Sequence, residues 1–149
     1  MKYLIPGPPI PQARPRLRSS SSFGQARLSR HRTYDPQHAV KMQVRECLQL
    51  QQGNTPPYKD VALCLNVTFY MPLPKNKKLR AKYLKQGYHI FRLGGDLDNH
   101  IKWNCDCANG ILYTDDCLIA SILAQKVYSE NARTEFTLLP LGEYNGKNC

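Results

Sequence analysis

Asp98, Lys102 and Asp106 stand four residues apart in succession, so on a helix their side chains share one broad face about one turn apart. Asp96 precedes Asp98 by two residues, and in an extended approach segment two such side chains point the same way. Asn99 lies beside them, and Asp115 and Asp116 follow further along the chain, where Asp116 could add a third carboxylate from across the fold. Carboxylates gathered in this way repel one another unless a cation joins them, and hard oxygen donors select Mg²⁺, with Mn²⁺ as its substitute, over zinc. A lysine in the same place suits a scissile phosphate, where negative charge develops in the transition state. The chemistry suggested is metal-assisted phosphodiester hydrolysis. Each residue also has an ordinary use: Asp96 or Asp98 as a helix cap, Lys102 paired with Asp98 or Asp106, Asp115 and Asp116 in a turn.

The elements that must hold these residues are legible in the hydrophobic pattern. Ile101, Cys105 and Ala108 recur at helical spacing between Asp98 and Asn109, and Gly110 follows where a left-handed residue ends a helix. Cys117 to Tyr128 is rich in β-formers, and Arg133 to Leu139 supplies another strand. Strict alternation of Val61, Leu63, Leu65, Val67, Phe69 and Met71 predicts a half-buried strand. Lys2 to Ile5 and His89 to Leu93 are read as shorter strands. Asp35 and Pro36 predict a helix start, with Gly53 as its stop and Val40, Val44, Cys47 and Leu48 on its core face. Asn76 to Gln86 is expected as a lysine-rich helix ended by Gly87, with Leu79 and Tyr83 inward. The sum is a single α+β domain over residues 1–149: a mixed β-sheet of four to five strands with helices packed on it, interrupted by a basic flexible loop at about 13–33.

Charge gives the first hint of a partner. The chain of 149 residues has a formal net charge of +10, and a basic surface attracts phosphate polymers through counterion release. Residues 1–34 hold seven Lys or Arg and no acid, residues 61–95 likewise, while five of the eleven carboxylates crowd into 96–116. Arg14, Arg16 and Arg18 are therefore candidate backbone contacts, as are Lys75 and Lys77. Tyr34, Tyr70, Tyr88 and Trp103 are read as core residues rather than base-stacking platforms. No apolar run is long enough to span a bilayer, and the stretch before Pro6 is too short for a signal peptide, so a cytoplasmic protein without a membrane partner is expected. Six cysteines in such a chain point to reduced thiols rather than disulfides, and His100, Cys105, Cys107 and Cys117 lack the paired spacing of a zinc site.

Gly95-Asp96-Leu97-Asp98-Asn99-His100-Ile101-Lys102, continued by Asp106-Cys107-Ala108-Asn109-Gly110 and Thr114-Asp115-Asp116, resembles the signature D-x-D-N-x-x-K-x-x-x-D-x-x-N-G-x-x-x-x-D-D of the RusA family of Holliday junction resolvases and meets it at every position. The resemblance reaches forward to Lys126. It reaches backward to Ile5-Pro6-Gly7-Pro8-Pro9, to Gln12-Ala13-Arg14-Pro15-Arg16 and to Phe69-Tyr70-Met71-Pro72. It implies a metal-dependent endodeoxyribonuclease acting in recombination and repair, with Asp96, Asp98 and Asp116 as metal ligands and Lys102 as the catalytic lysine. Asp106, Asn99 and Asp115 would be supporting residues, and Lys126 a DNA contact. It also implies a homodimer that nicks opposing strands of a four-way junction, and it allows a phage or prophage origin. Gly95 departs from the proline or basic residue common in relatives, which predicts a looser segment before Asp96. A nuclease for other branched DNA, or a non-catalytic branched-DNA-binding protein, are the competing readings.

Overall fold

The structure is a computed structural model that describes residues 1–14, 16–18, 32–90 and 94–143. Its sheet has four strands in the order β1-β6-β4-β5, where β1 is Lys2–Pro6, β4 Leu63–Pro72, β5 Ile119–Ser129 and β6 Arg133–Pro140. β6 pairs antiparallel with both β1 and β4, whereas β4 and β5 run parallel, from Leu63↔Ile119 to Pro72↔Ser129. A parallel pair cannot be closed by a hairpin. The connection from β4 to β5 therefore carries helices α2 (Lys77–Gln86) and α3 (Leu97–Ala108), and the acidic window lies within it. The α+β reading of a single domain with a mixed sheet holds.

β4 is one of the two interior strands, and its Leu65, Val67, Phe69 and Met71 are all buried, as the alternation required. They pack with Tyr3 and Ile5 of β1, Phe136 and Leu138 of β6, Val44 and Leu48 of α1 (His38–Gln52), and Trp103 and Cys107 of α3. Fully burying a side chain such as Leu48, which is 0% exposed, contributes roughly 1.5–3 kcal/mol. The Tyr3 hydroxyl donates a buried hydrogen bond to the Gln52 Oε1 that ties β1 to the end of α1.

Several expectations need correction, among them Val40 and Leu79, which are 39% and 38% exposed rather than facing the core. The basic loop is not wholly irregular: Arg16–Arg18 (β2) and Arg32–Tyr34 (β3) pair as an antiparallel ribbon, because backbone hydrogen bonds need no apolar core to form a short ladder. Residues 19–31, with the serine run, lie outside the described residues. α1 starts at His38, since the Asp35 carboxylate accepts a 2.8 Å hydrogen bond from the Gln37 amide and holds Pro36 and Gln37 in a turn. His89 and Ile90 are not in a strand. Tyr88 makes one isolated bridge to Val127, and 91–93 lie outside the described residues. Finally, Tyr34 and Tyr88 are 44% and 62% exposed, while Trp103 is core at 4%. Tyr70 is half-buried beneath the Arg133 guanidinium, 3.7 Å from its ring centroid. Among the described residues no helix is long and apolar enough to cross a membrane.

Candidate active site

α3 buries His100, Trp103, Asn104, Cys105, Cys107 and Ala108, so the core grips it over most of its circumference. Asp98 and Lys102 occupy the remaining exposed side. Both open onto a depression of about 370 Å³ that Asp116 lines from the other bank, with Ile101, Ile119 and Ile122 as its apolar walls. Asp116 begins a single 3₁₀ turn, Asp116–Leu118, that leads into β5. The long parallel connection thus folds back to bring two carboxylates and a lysine, distant in sequence, to one concave spot.

The ion pairing open to Asp98 and Lys102 is not realised. Asp98 and Lys102 form no ion pair with any described residue. Asp96 is the residue that caps α3, yet its carboxylate makes no capping hydrogen bond and is exposed. Asp96 does not line the depression shared by Asp98 and Asp116. Among the described residues no three His, Cys, Asp or Glu side chains stand together as a ready metal cluster.

The predicted supporting residues divide. Asp115 is structural: its carboxylate accepts a 3.0 Å hydrogen bond from the Cys117 amide, and that backbone bond holds it below the usual carboxylate range. Asp106 turns from the depression to α1, where Lys41 bridges it and Asp35 at 3.1 Å each. Burial pulls the Lys41 ammonium down, but the two carboxylates outweigh it and the net shift is upward. Asn99 is half-buried, and its backbone carbonyl accepts a hydrogen bond from the Gln12 amide at 2.9 Å.

Arg45, which no sequence signal distinguished, caps the far end of α3. Its guanidinium donates to the carbonyls of Asn109 at 2.8 Å, Cys107 at 3.1 Å and Asp106 at 3.4 Å, satisfying acceptors a helix end leaves open and opposing its dipole. Tyr113 donates to the Cys105 carbonyl at 2.9 Å, and burial drives its phenol far up. Burial also pushes the Cys105 thiol up to about 11 and the Cys107 thiol to about 12, which keeps both protonated as packing residues.

The segment before Asp96 is the opposite of loose. Gly94 and Gly95 take φ values of +109° and +89°, which side chains disfavour. A Cβ on Gly95 would collide with the Pro11 ring, and one on Gly94 would lie 2.9 Å from the Met71 methyl. The buried His100 ring bonds the Gly94 carbonyl through Nε2; a carbonyl only accepts, so that nitrogen carries the proton. Burial, reinforced by the nearby Lys126 charge, holds this imidazole below its usual range and therefore neutral. Of the predicted DNA contacts, Arg14, Lys75 and Lys77 are exposed. The side chains of Arg16 and Arg18 lie outside the described residues, and Lys126 is half-buried with its ammonium on the Gly95 carbonyl.

A family model described as endodeoxyribonuclease RusA matches residues 6–138. The chain belongs to the RusA endodeoxyribonuclease family. It is also 26% identical over 138 residues to a protein of Bacillus subtilis (strain 168) named "Uncharacterized protein YqaN", covering 91% of this chain and 92% of that one. The RusA match spans β4, β5, most of β6, helices α1 to α3 and both sides of the depression, so the acidic window belongs to the domain that the family defines.

Proposed function

We propose that this chain is a Mg²⁺-dependent, structure-specific endonuclease that resolves four-way DNA junctions as a homodimer, with Asp98, Asp116 and Lys102 at its reacting centre. The observation that carries the reading is the convergence of two exposed carboxylates and one unpaired lysine on a single depression of a RusA-family domain. Oxygen donors of that kind fit a hard divalent cation. Asp98 and Asp116 would hold it, with Asp96 joining from the head of α3. When bound, Mg²⁺ supplies the positive charge that binds a scissile phosphate and acidifies an attacking water. Lys102 sets its ammonium beside that phosphate to offset charge on the leaving oxygen.

Two further features support a DNA partner. α2 has Lys77 and Lys78 in its first turn and no acid there, an arrangement the helix dipole disfavours until an anion arrives. As for assembly, β5 is an edge strand, and its Ile122 and Leu123 are 47% and 52% exposed, the kind of edge a second copy covers. A two-fold dimer suits a nearly two-fold substrate.

The test is cleavage of a synthetic four-way junction, beside linear duplex and flap controls, by wild type and Asp98→Asn with and without Mg²⁺ or Mn²⁺. Paired symmetric nicks that require metal and vanish in the variant are expected. Preferred cleavage of flaps would move the substrate to other branched DNA, and tight junction binding without cleavage by wild type would sink the nuclease reading.

A further inference from the structure

Lys126 stands on the half-buried side of β5, opposite Phe69 of β4. Its ammonium does not reach for solvent but donates to the Gly95 carbonyl at 2.7 Å, and among the described residues no carboxylate pairs with it. Partly desolvating an ammonium without a counter-charge opposes stability, so a lysine held this way calls for a use that offsets the cost.

The position of the bond suggests that use. Gly94 and Gly95, both at positive φ, present their carbonyls to His100 and Lys126 respectively, two donors side by side on successive peptides. Pro11 packs against Gly95, and Gln12 holds the Asn99 carbonyl one turn later. With both carbonyls fixed, the chain leaves the turn at Asp96 with φ −79° and ψ 154°, its carboxylate unused by the cap. Lys126 also joins two segments that matter together: one end of β5 carries Ile119 and Ile122 into the depression beside Asp116, and Lys126 ties the other end to the head of α3. A single charge-assisted hydrogen bond of this length is strong and directional.

We infer that Lys126 is a positioning residue, which locks the Gly94-Gly95 turn against β5 so that Asp96 is held in place for the cation at the head of α3, and is not a phosphate contact. The inference rests on the metal-nuclease reading above. The bond acts through the backbone, never on substrate.

Four measurements on the full-length protein test it, for wild type, Lys126→Met and Lys126→Arg, with Lys126→Gln in reserve should the methionine variant not fold. They are amide hydrogen exchange at 95–99 without DNA, Mn²⁺ binding without DNA, the salt slope of junction binding without Mg²⁺, and kcat and KM with it. Loss of the tether is expected to speed exchange at Asp96 and Leu97 and to weaken Mn²⁺ binding by about 10–100-fold, the usual cost of removing an outer support of a metal site. It should lower kcat by a similar factor, leave KM and the salt slope unchanged, and be largely rescued by arginine, which retains a charged donor. A salt slope reduced by about 1 with normal kcat would make Lys126 a phosphate contact and overturn the inference. So would unchanged exchange in the methionine variant. Should wild type fail to cleave any junction, the nuclease reading falls, and exchange and Mn²⁺ binding still decide the tether.

Discussion

The two halves of α3 treat their charges in opposite ways. In the C-terminal half, Asp106 is bridged by Lys41, Arg45 covers the last carbonyls and Tyr113 reaches the Cys105 carbonyl. In the N-terminal half, Asp98 and Lys102 have no ionic partner among the described residues, although Gln12 holds the Asn99 carbonyl and His100 and Lys126 hold the Gly94 and Gly95 carbonyls just before the helix. One half spends its side chains on the fold. The other keeps its backbone rigid and its side chains open, as a site needs if it is to meet a ligand without reorganising. A charge left free on a well-held element is a better marker of chemistry than an acidic residue as such.

If that contrast is right, substitutions should separate activity from stability. Asp98→Asn and Asp116→Asn should each lower metal-dependent junction cleavage by about 10³-fold or more, while urea unfolding stays within about 0.5 kcal/mol of wild type, as for other unpaired surface positions. A variant that lost both together would erase the distinction. Arg45→Ala should do the reverse, costing about 2 kcal/mol of unfolding free energy through three uncapped carbonyls and leaving cleavage of the folded fraction within a few-fold.

Asp106→Asn belongs with Arg45. It should cost about 1 kcal/mol and reduce kcat less than tenfold; a loss as deep as that of Asp98→Asn would return Asp106 to the reacting centre. The same bridge predicts a pH dependence. The Gln37 amide first, and then Lys41, lower the Asp35 carboxyl, so its contribution is complete above the ordinary aspartate value of about 3.9 and is lost as pH falls through the lower folded value. Lys41, raised on balance, contributes fully below its ordinary value of about 10.4 and loses that contribution as pH rises through the folded one. The melting difference between wild type and Asp35→Asn should thus be flat from about pH 5 to 9 and shrink on the acid side below about pH 4. The smallest effect is expected at Lys75 and Lys77, where each change to Ala should leave stability and kcat unaltered and reduce the salt slope of junction binding by about 0.9 if it meets a phosphate.

Much of this was readable from the chain. The alternation of β4, the helical period of α3 and the left-handed Gly110, at φ +74°, are local signals, and local signals survive folding. What could not be read was orientation and partnership. Eight residues on a helix turn the direction by about 80°, enough for Asp106 to leave the Asp98 side and face Lys41. Lys126 looked like one more cation in a basic protein because its acceptor is a backbone carbonyl 31 residues away, and carbonyls leave no mark on a sequence. Gly95 looked permissive for the same reason: only the fold reveals the proline standing against it.

That proline carries a consequence for exchange between relatives. Gly95 and Pro11 occupy space that neither can yield, and Gly95 also sits at φ +89°, so they form an epistatic pair: a larger residue at 95 needs both room at position 11 and a backbone that has left the left-handed region. A chimera that takes its first dozen residues from one homologue and its acidic window from another should therefore fold poorly where Pro11 meets a larger residue at 95. In directed evolution of this domain, the path to a new residue at 95 runs through position 11.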